Sequence, residues 1–120
     1  MSQITLAICR HAPYGNALAR EGLEAVLAAA AMDQTPDVLF TGDGIFQLLP
    51  DQAAGEIDQK SLHRNLQALP MFGVEQIYVC QRSLEERAVS SNRLAIAGIN
   101  LVLVQDTGGL ISRYQHVLSF

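Results

Sequence analysis

Five short apolar runs, separated by segments that favour helix or turn, are the feature that most limits what this sequence can fold into. The runs are rich in β-branched residues and do not alternate strictly between apolar and polar side chains, which is typical of strands buried on both faces. They predict strands at residues 4–9, 37–41, 76–80, 100–104 and 116–120. Strands that alternate with helices indicate an α/β protein, with a mainly parallel five-stranded sheet flanked by helices.

The segments between these runs carry helix signals. Residues 17–32 are dominated by Ala and Leu, which have high helix propensity. Ser83, followed by Glu86 three residues later, matches a capping box and predicts a helix over 83–88. Asp106 is a predicted cap for a helix over 110–114. Further helical segments are predicted at 45–49 and 56–69, and each is followed by a proline that ends it.

Length and composition indicate a single domain over residues 1–120, because no linker-like segment divides the chain. Hydrophobic residues make up 49% of the chain and charged residues only 17%, which predicts that part of the apolar surface contacts another subunit. The net charge is −4 and Lys60 is the only lysine, so no basic stripe is available to follow a phosphate backbone. Direct binding of nucleic acid is therefore not expected.

Signals for a cellular compartment are few. The two cysteines are too few for a disulfide framework, and no basic segment followed by an apolar one marks a secretory leader. The longest nearly apolar segment, residues 17–31, contains Arg20, Glu21 and Glu24 and falls short of a membrane span. The sequence therefore predicts a cytoplasmic protein without a membrane anchor.

Cys80 is the residue on which the functional interpretation depends. It ends the third apolar run, directly before the polar, helix-prone segment 81–87. At such a corner, helix N–H groups together with Arg82 and Arg87 favour a thiolate. The alternative is that Cys80 is a small buried hydrophobe, as free cysteines often are. If the strand order is that of flavodoxin, the first and third strands are neighbours, and Cys9 and Cys80 meet at the same edge of the sheet.

Other candidate residues carry weaker signals. His11 is either a base for Cys80 or a solvated loop residue. Cys9, His11 and Cys80 lack a fourth ligand for zinc, and Asp43 stands alone where a magnesium site wants several acidic residues. The loop at 10–16 has one glycine and no phosphate-binding motif. The sequence therefore predicts no metal and no cofactor.

A short apolar segment supplies candidate interface residues. Phe46, Leu48 and Leu49 either face the core of the domain or form a patch for another chain. Spacing alone leaves both interpretations open, and the second predicts these three residues as an interface.

Several blocks of sequence together resemble one known family. The TusC/DsrF branch of the DsrE-like sulfur-relay family is similar over essentially the whole chain, least so at residues 89–106. The blocks that carry the resemblance are His11-Ala12-Pro13-Tyr14-Gly15, Arg20-Glu21-Gly22-Leu23-Glu24-Ala25, Gly42-Asp43-Gly44-Ile45-Phe46-Gln47-Leu48-Leu49-Pro50, Tyr78-Val79-Cys80, Ser83-Leu84-Glu85-Glu86-Arg87 and Val117-Leu118-Ser119-Phe120.

The resemblance implies a DsrE-like domain that is a cytoplasmic subunit of a complex similar to TusBCD or DsrEFH, built as a dimer of heterotrimers. The implied partners are TusB/DsrH-like and TusD/DsrE-like subunits and, through the complex, a TusE/DsrC-like sulfur acceptor. In Tus complexes persulfide sulfur moves toward 2-thiolation of the wobble uridine of tRNA, whereas DsrEFH complexes serve sulfur oxidation. A homo-oligomer of the isolated chain is an alternative assembly.

For this branch the resemblance implies a chiefly architectural, non-catalytic role. The persulfide cysteine of the family belongs to the TusD/DsrE-type subunit, at the position that corresponds to Cys80. Two alternatives stay open at the level of sequence. The chain is either a thiol-active sulfurtransferase subunit with Cys80 as persulfide carrier, or a stand-alone small-ligand binder of flavodoxin-like form.

Overall fold

A parallel five-stranded sheet forms the centre of the fold in a computed structural model that describes residues 5–12, 18–32, 35–49, 66–74, 76–94 and 101–120. The strands lie in the order β4-β3-β2-β1-β5, and every neighbouring pair is parallel. Their bounds are β1 Thr5–Cys9, β2 Asp37–Phe40, β3 Ile77–Cys80, β4 Leu101–Val104 and β5 His116–Ser119. The prediction of an α/β fold with a parallel five-stranded sheet is confirmed.

The strand order is not that of flavodoxin, so the condition under which Cys9 and Cys80 would meet is not met. β2 lies between β1 and β3, so the first and third strands are not neighbours as they are in flavodoxin. Each of the first three connections leads to the adjacent strand in one direction, and only the last connection returns across the sheet to place β5 beside β1. A parallel crossover is compatible with either neighbouring position, so local sequence does not specify this order.

Three α-helices and three 3₁₀ segments have described bounds around the sheet, and residues 66–68 are helical as well. The helices are α1 Leu18–Ala31, α2 Gln81–Glu86 and α3 Thr107–Ile111. The 3₁₀ segments are Gly42–Leu48, Pro70–Phe72 and Ser91–Arg93. The predicted turn at 45–49 is thus a 3₁₀ segment that starts earlier. Of the helix predicted at 56–69, only the end from residue 66 falls within the described residues.

The predicted capping box is wrong, and the last predicted helix starts earlier than expected. Helix α2 begins at Gln81 with Cys80 as its N-cap residue, so Ser83 lies inside the helix rather than at its start. The Ser83 hydroxyl instead accepts a hydrogen bond from the Gly42 N–H. Helix α3 begins at Thr107, and the Asp106 side chain caps it by accepting the Gly109 N–H at 3.0 Å.

The two faces of the sheet are covered unequally. The helix-rich face, formed by residues such as Ala7, Phe40 and Val79, packs against α1, the 3₁₀ segment 42–48, the residues from 66 to 69 and α2. The opposite face, formed by Leu6, Ile8 and Leu39, packs against Leu110 of α3 and its neighbours. The chain therefore leaves β1, β2 and β3 toward one face and β4 toward the other.

A polar contact fastens the α3 crossover to the sheet. The Tyr114 hydroxyl donates a hydrogen bond to the carboxylate of Asp37, a buried residue at the start of β2. Burial, followed by the hydrogen bond and the charge of Asp37, raises the pKa of Tyr114 well above its ordinary value. No helix within the described ranges has the length and hydropathy needed to cross a membrane.

Candidate thiol site at the carboxyl edge of the sheet

Cys80 lies at the point where the connections of two neighbouring strands diverge. It is the last residue of β3 and pairs in register with Val104, the last residue of β4. Helix α2 follows β3 on the helix-rich face, whereas α3 follows β4 on the opposite face. In parallel sheets such a divergence opens a crevice outside the carboxyl ends of the strands, where ligands and chemistry gather. The Cys80 side chain is 7% exposed at this position.

Hydroxyl and backbone groups surround the Cys80 sulfur. Burial raises its pKa, but hydrogen bonds from the Ser83 hydroxyl and N–H, the Thr41 hydroxyl and the Arg82 N–H outweigh burial, so the pKa of Cys80 is lowered from its ordinary value. The Ser83 and Thr41 oxygens are 3.2 Å apart, and the Gly42 N–H donates to Ser83 Oγ at 2.9 Å. This set of donors stabilises a sulfur anion.

The arginine side chains expected to favour the thiolate have other partners. Arg87 Nε lies 2.9 Å from the Asp43 carboxylate, and its Nη1 donates to the Ser83 carbonyl at 3.3 Å. The Arg82 guanidinium is exposed and lies 3.5 Å from Glu86. Neither guanidinium is among the causes of the lowered pKa, and Arg82 contributes through its backbone N–H. Of the donors expected from sequence, the helix N–H groups contribute and the two guanidinium groups do not.

Two glutamines connect the ends of β3 and β4. Gln105 Nε2 donates a hydrogen bond to Gln81 Oε1 at 3.4 Å. Both side chains are uncharged, so they add hydrogen-bonding capacity next to Cys80 without adding a charge. The carboxylate of Asp106, which directly follows Gln105, caps α3.

Cys9 has a different environment, although it also ends a strand at this edge. Its side chain is buried in the core of the helix-rich face, and burial raises its pKa to about 12. Cys9 and Val79 both pair in register with Phe40 of the strand between them. Cys80 follows Val79, so it lies one residue further along the strand direction than Cys9. Both cysteines are free, with β2 between their strands. The structure does not bring the two thiols together.

His11 lies beyond β1 and is held there by a buried glutamine. Gln47 is fully buried and its Nε2 donates to the His11 carbonyl at 2.8 Å. Gln47 Oε1 and His11 Nδ1 have no hydrogen-bond partner among the described residues. The described polar contact of His11 is thus with Gln47, and no described contact joins it to Cys80.

Gly44 allows the 3₁₀ segment to lie directly against the end of β1. A Cβ atom at this position would be 2.0 Å from the Cys9 carbonyl oxygen, closer than van der Waals contact permits. The backbone therefore closes the edge of the sheet above Cys9, and a glycine is required at position 44.

The candidate interface residues lie mainly in the interior of the single chain. Leu48 and Leu49 are each 1% exposed and belong to the core of the helix-rich face, while Phe46 is partly buried against that core. Of these three side chains, Phe46 is the one with surface to offer another chain. An interface role for the segment stays a prediction.

Metal binding is not favoured by the described side chains. Within the described ranges, no group of three or more His, Cys, Asp or Glu residues is placed to hold a metal ion. At the carboxyl edge of the sheet, a thiol and two hydroxyls lie together instead, from Cys80, Ser83 and Thr41. This set is suited to nucleophilic sulfur chemistry.

Comparisons with known proteins cover nearly the whole chain. The profile of the DsrE/DsrF-like family matches residues 3–120. The "Protein TusC homolog" of Pseudomonas aeruginosa is 44% identical over 99% of each chain, and that of Vibrio vulnificus strain CMCP6 is 35% identical over 100% of each. The crystal structure of the YchN protein from E. coli is similar in fold, with a TM-score of 0.78, 21% identity, and coverage of 99% of this chain and 100% of YchN.

Proposed function

Because this chain belongs to the DsrE/DsrF-like family, we propose that it is a subunit of a cytoplasmic sulfur-relay complex of the TusBCD type. The observation that carries the proposal is the full-length similarity to two proteins named TusC homologs. The proposed partners are TusB-like and TusD-like subunits, with a TusE-like protein as the sulfur acceptor. The pathway proposed for the complex is 2-thiolation of the wobble uridine of tRNA.

The distribution of exposed apolar side chains supports a chiefly architectural role. Both edge strands expose apolar residues to each side of the sheet, at Val102 and Leu103 of β4 and at Val117 and Leu118 of β5. Met71 is 86% exposed on a turn next to Phe72, which is also exposed. Exposed apolar groups of this size are typical of surfaces that another chain covers.

Co-expression tests the assembly. With the TusB-like and TusD-like chains of the same genome, we expect co-purification and a mass that fits a dimer of heterotrimers. Leu118→Lys and Met71→Lys should weaken assembly if these surfaces are covered, whereas the control Gln67→Lys changes an exposed polar residue and should not. A monodisperse monomer that is unchanged by the partner chains would contradict the proposal.

The pathway needs a separate measurement. Deletion of the gene should remove 2-thiouridine from the affected tRNAs, and the wild-type gene should restore it. Unchanged 2-thiouridine together with impaired oxidation of reduced sulfur compounds would instead assign the chain to a DsrEFH-type complex.

A second candidate function is that Cys80 carries persulfide sulfur itself. The lowered pKa of Cys80 and its place at the diverging connections of β3 and β4 favour this candidate. In the first step the Cys80 thiolate attacks the outer sulfur of a donor persulfide, a new S–S bond forms, and the donor leaves as a thiolate. An acceptor thiolate then attacks the outer sulfur and releases Cys80 as a thiolate. The two steps are exchanges between sulfurs and need no external oxidant.

A Cys80→Ser variant separates the two candidates. If Cys80 carries sulfur, transfer through the assembled complex should be lost while assembly is retained. Cys9→Ala is the matched control, because Cys9 is buried in the core and its thiol stays protonated at neutral pH. Undiminished transfer in Cys80→Ser would exclude the carrier role and leave the architectural one.

A further inference from the structure

Two hydroxyl groups from different parts of the chain meet beside Cys80. Ser83 is buried inside α2, and Thr41 follows β2. Their oxygens are 3.2 Å apart, and either hydroxyl is able to donate to the other. Ser83 Oγ also accepts the Gly42 N–H at 2.9 Å, which joins the start of α2 to the loop after β2.

The number of hydroxyl protons limits how many hydrogen bonds Ser83 and Thr41 can donate. Each hydroxyl has one proton to donate and two lone pairs that accept. One of the two protons is used in the hydrogen bond between Ser83 and Thr41. The Gly42 N–H occupies a lone pair of Ser83 but no proton. One hydroxyl proton therefore remains, from Ser83 in one arrangement and from Thr41 in the other. Thr41 lies beside Cys80, because each follows one member of the register pair Phe40 and Val79. Ser83 is the third residue of the helix that Cys80 precedes, so the remaining proton lies next to the sulfur.

We propose that Ser83 and Thr41 are positioning residues that act as one unit and donate a single O–H hydrogen bond to the Cys80 sulfur, which orients the sulfur and stabilises its thiolate form. This role rests on the second candidate function for its biological meaning. Because each hydroxyl is able to replace the other as the donor, removal of one is largely compensated, and removal of both is not.

The charged groups around this pair do not replace it. On α2 these groups are Arg82, Glu85 and Glu86, and Arg87 directly follows the helix. Asp43 follows β2 and Asp106 follows β4. Arg87 is paired with Asp43, Arg82 lies next to Glu86, and Asp106 caps α3. The hydrogen-bond donors that lower the pKa of Cys80 are the two hydroxyls and the N–H groups of Arg82 and Ser83, with no charged side chain among them.

The test is the pH profile of Cys80 alkylation by iodoacetamide, read by intact mass in a Cys9→Ala background so that one thiol reacts. In this reaction the thiolate forms an S–C bond and iodide leaves. At about pH 7, we expect Thr41→Val and Ser83→Ala each to slow alkylation by about twofold, and the double variant by about tenfold with a pKa about one unit higher. An unshifted profile in the double variant would overturn the proposal.

Conservative variants distinguish loss of a hydroxyl group from loss of the fold. Thr41→Ser and Ser83→Thr retain the hydroxyls and should keep the parental profile, and far-UV circular dichroism identifies any variant that has unfolded. Loss of the profile in a folded Thr41→Ser variant would also count against the hydroxyl as the active group.

The alkylation profile is measured without any sulfur transfer, so the two hypotheses fail separately. If the double variant shifts as expected while Cys80→Ser transfers sulfur normally, the hydroxyl pair stands and the carrier function fails. If sulfur passes through Cys80 but the double variant alkylates like its parent, the carrier function stands and the positioning role is overturned.

Discussion

Cys9 and Cys80 end strands of the same sheet at the same edge, but the environments of their thiols differ in opposite directions. Burial in the core raises the pKa of Cys9 to about 12. Around Cys80 the hydroxyls of Ser83 and Thr41 and two backbone N–H groups outweigh burial, and the pKa is lowered. Cys9 lies deeper in the core than Cys80, so a difference in desolvation contributes together with the difference in hydrogen-bond partners.

The comparison shows that the depth of a thiol in the core and its hydrogen-bond partners together decide its ionisation. Cys9 lies in an apolar row with Phe40 and Val79, where nothing compensates a charge. Cys80 lies one pleat position further along, between connections that lead to opposite faces and leave polar groups around it. A shift of one residue along parallel strands therefore accompanies a change in the direction of the pKa shift of the cysteine.

The largest expected difference between the two thiols is in their reaction with an alkylating reagent. At neutral pH, the thiolate fraction of Cys80 should exceed that of Cys9 by about a thousandfold or more, because the pKa of Cys9 is raised from 9.0 to about 12 and that of Cys80 is lowered. Intact mass spectrometry of native protein at about pH 8 should show one label per chain, located at Cys80 by peptide mapping.

The unfolded protein is the control for that measurement, since both thiols should then react at similar rates. Preferential labelling of Cys9 in the native protein, or two labels acquired at equal rates, would break the comparison.

A smaller effect is expected from closing the space that Gly44 leaves above Cys9. Gly44→Ala places a Cβ 2.0 Å from the Cys9 carbonyl oxygen, and we expect it to lower the free energy of unfolding by about 3 kcal/mol or more. Urea denaturation measures this change. Gly108→Ala is the matched control, because its Cβ would come no closer than 3.7 Å to Asp106 and alanine favours helix. Equal stability of the two variants would show that the edge above Cys9 is not closed by backbone contact.

The smallest expected effect is a dependence of stability on alkaline pH. Cys9 holds its proton in the folded chain up to about pH 12, whereas the unfolded chain releases it near 9.0. The contribution of the protonated Cys9 thiol to the free energy of unfolding is complete below pH 9.0 and is lost as pH rises toward 12. At about pH 10 the loss is about 1.4 kcal/mol. Denaturant titrations at neutral pH and at about pH 10 should show this loss in the wild type.

Cys9→Ala is the control, because it removes the loss of stability that Cys9 causes at alkaline pH. The loss caused by Tyr114, whose pKa is also raised, remains in this variant. For Cys80 the sign is reversed. Its pKa is lowered, so its contribution is present at pH above the unfolded value and is lost as pH falls through the folded one. An identical pH dependence in Cys9→Ala and the wild type would contradict the assignment of the raised pKa to Cys9.

The strands could be predicted from sequence because buried parallel strands leave a strong local signal. Each apolar run became a strand within a residue or so of its expected bounds, as Ile77–Cys80 illustrates. Their order could not, because a crossover helix such as α1 fits equally well when it leads to either side of β1. The position of β5 beside β1 depends on packing of the whole chain.

The site was predicted in part. Cys80 was identified from its place between a strand and a helix, but Ser83 was taken for a helix cap. A serine three positions after a strand does not reveal whether its hydroxyl turns back to its own helix or across to Gly42. Thr41 gave no signal in sequence, because its relation to Cys80 exists only when β2 and β3 are neighbours.

The divergence of α2 and α3 has a consequence for assembly. The exposed apolar residues of β4 and β5 lie along the two edges of the sheet, whereas Cys80 lies at its carboxyl end. Contacts of another chain with those edges and a reaction at the sulfur would therefore use different surfaces. Substitutions at the carboxyl end would change the surroundings of the sulfur and leave the apolar edges of the sheet as they are.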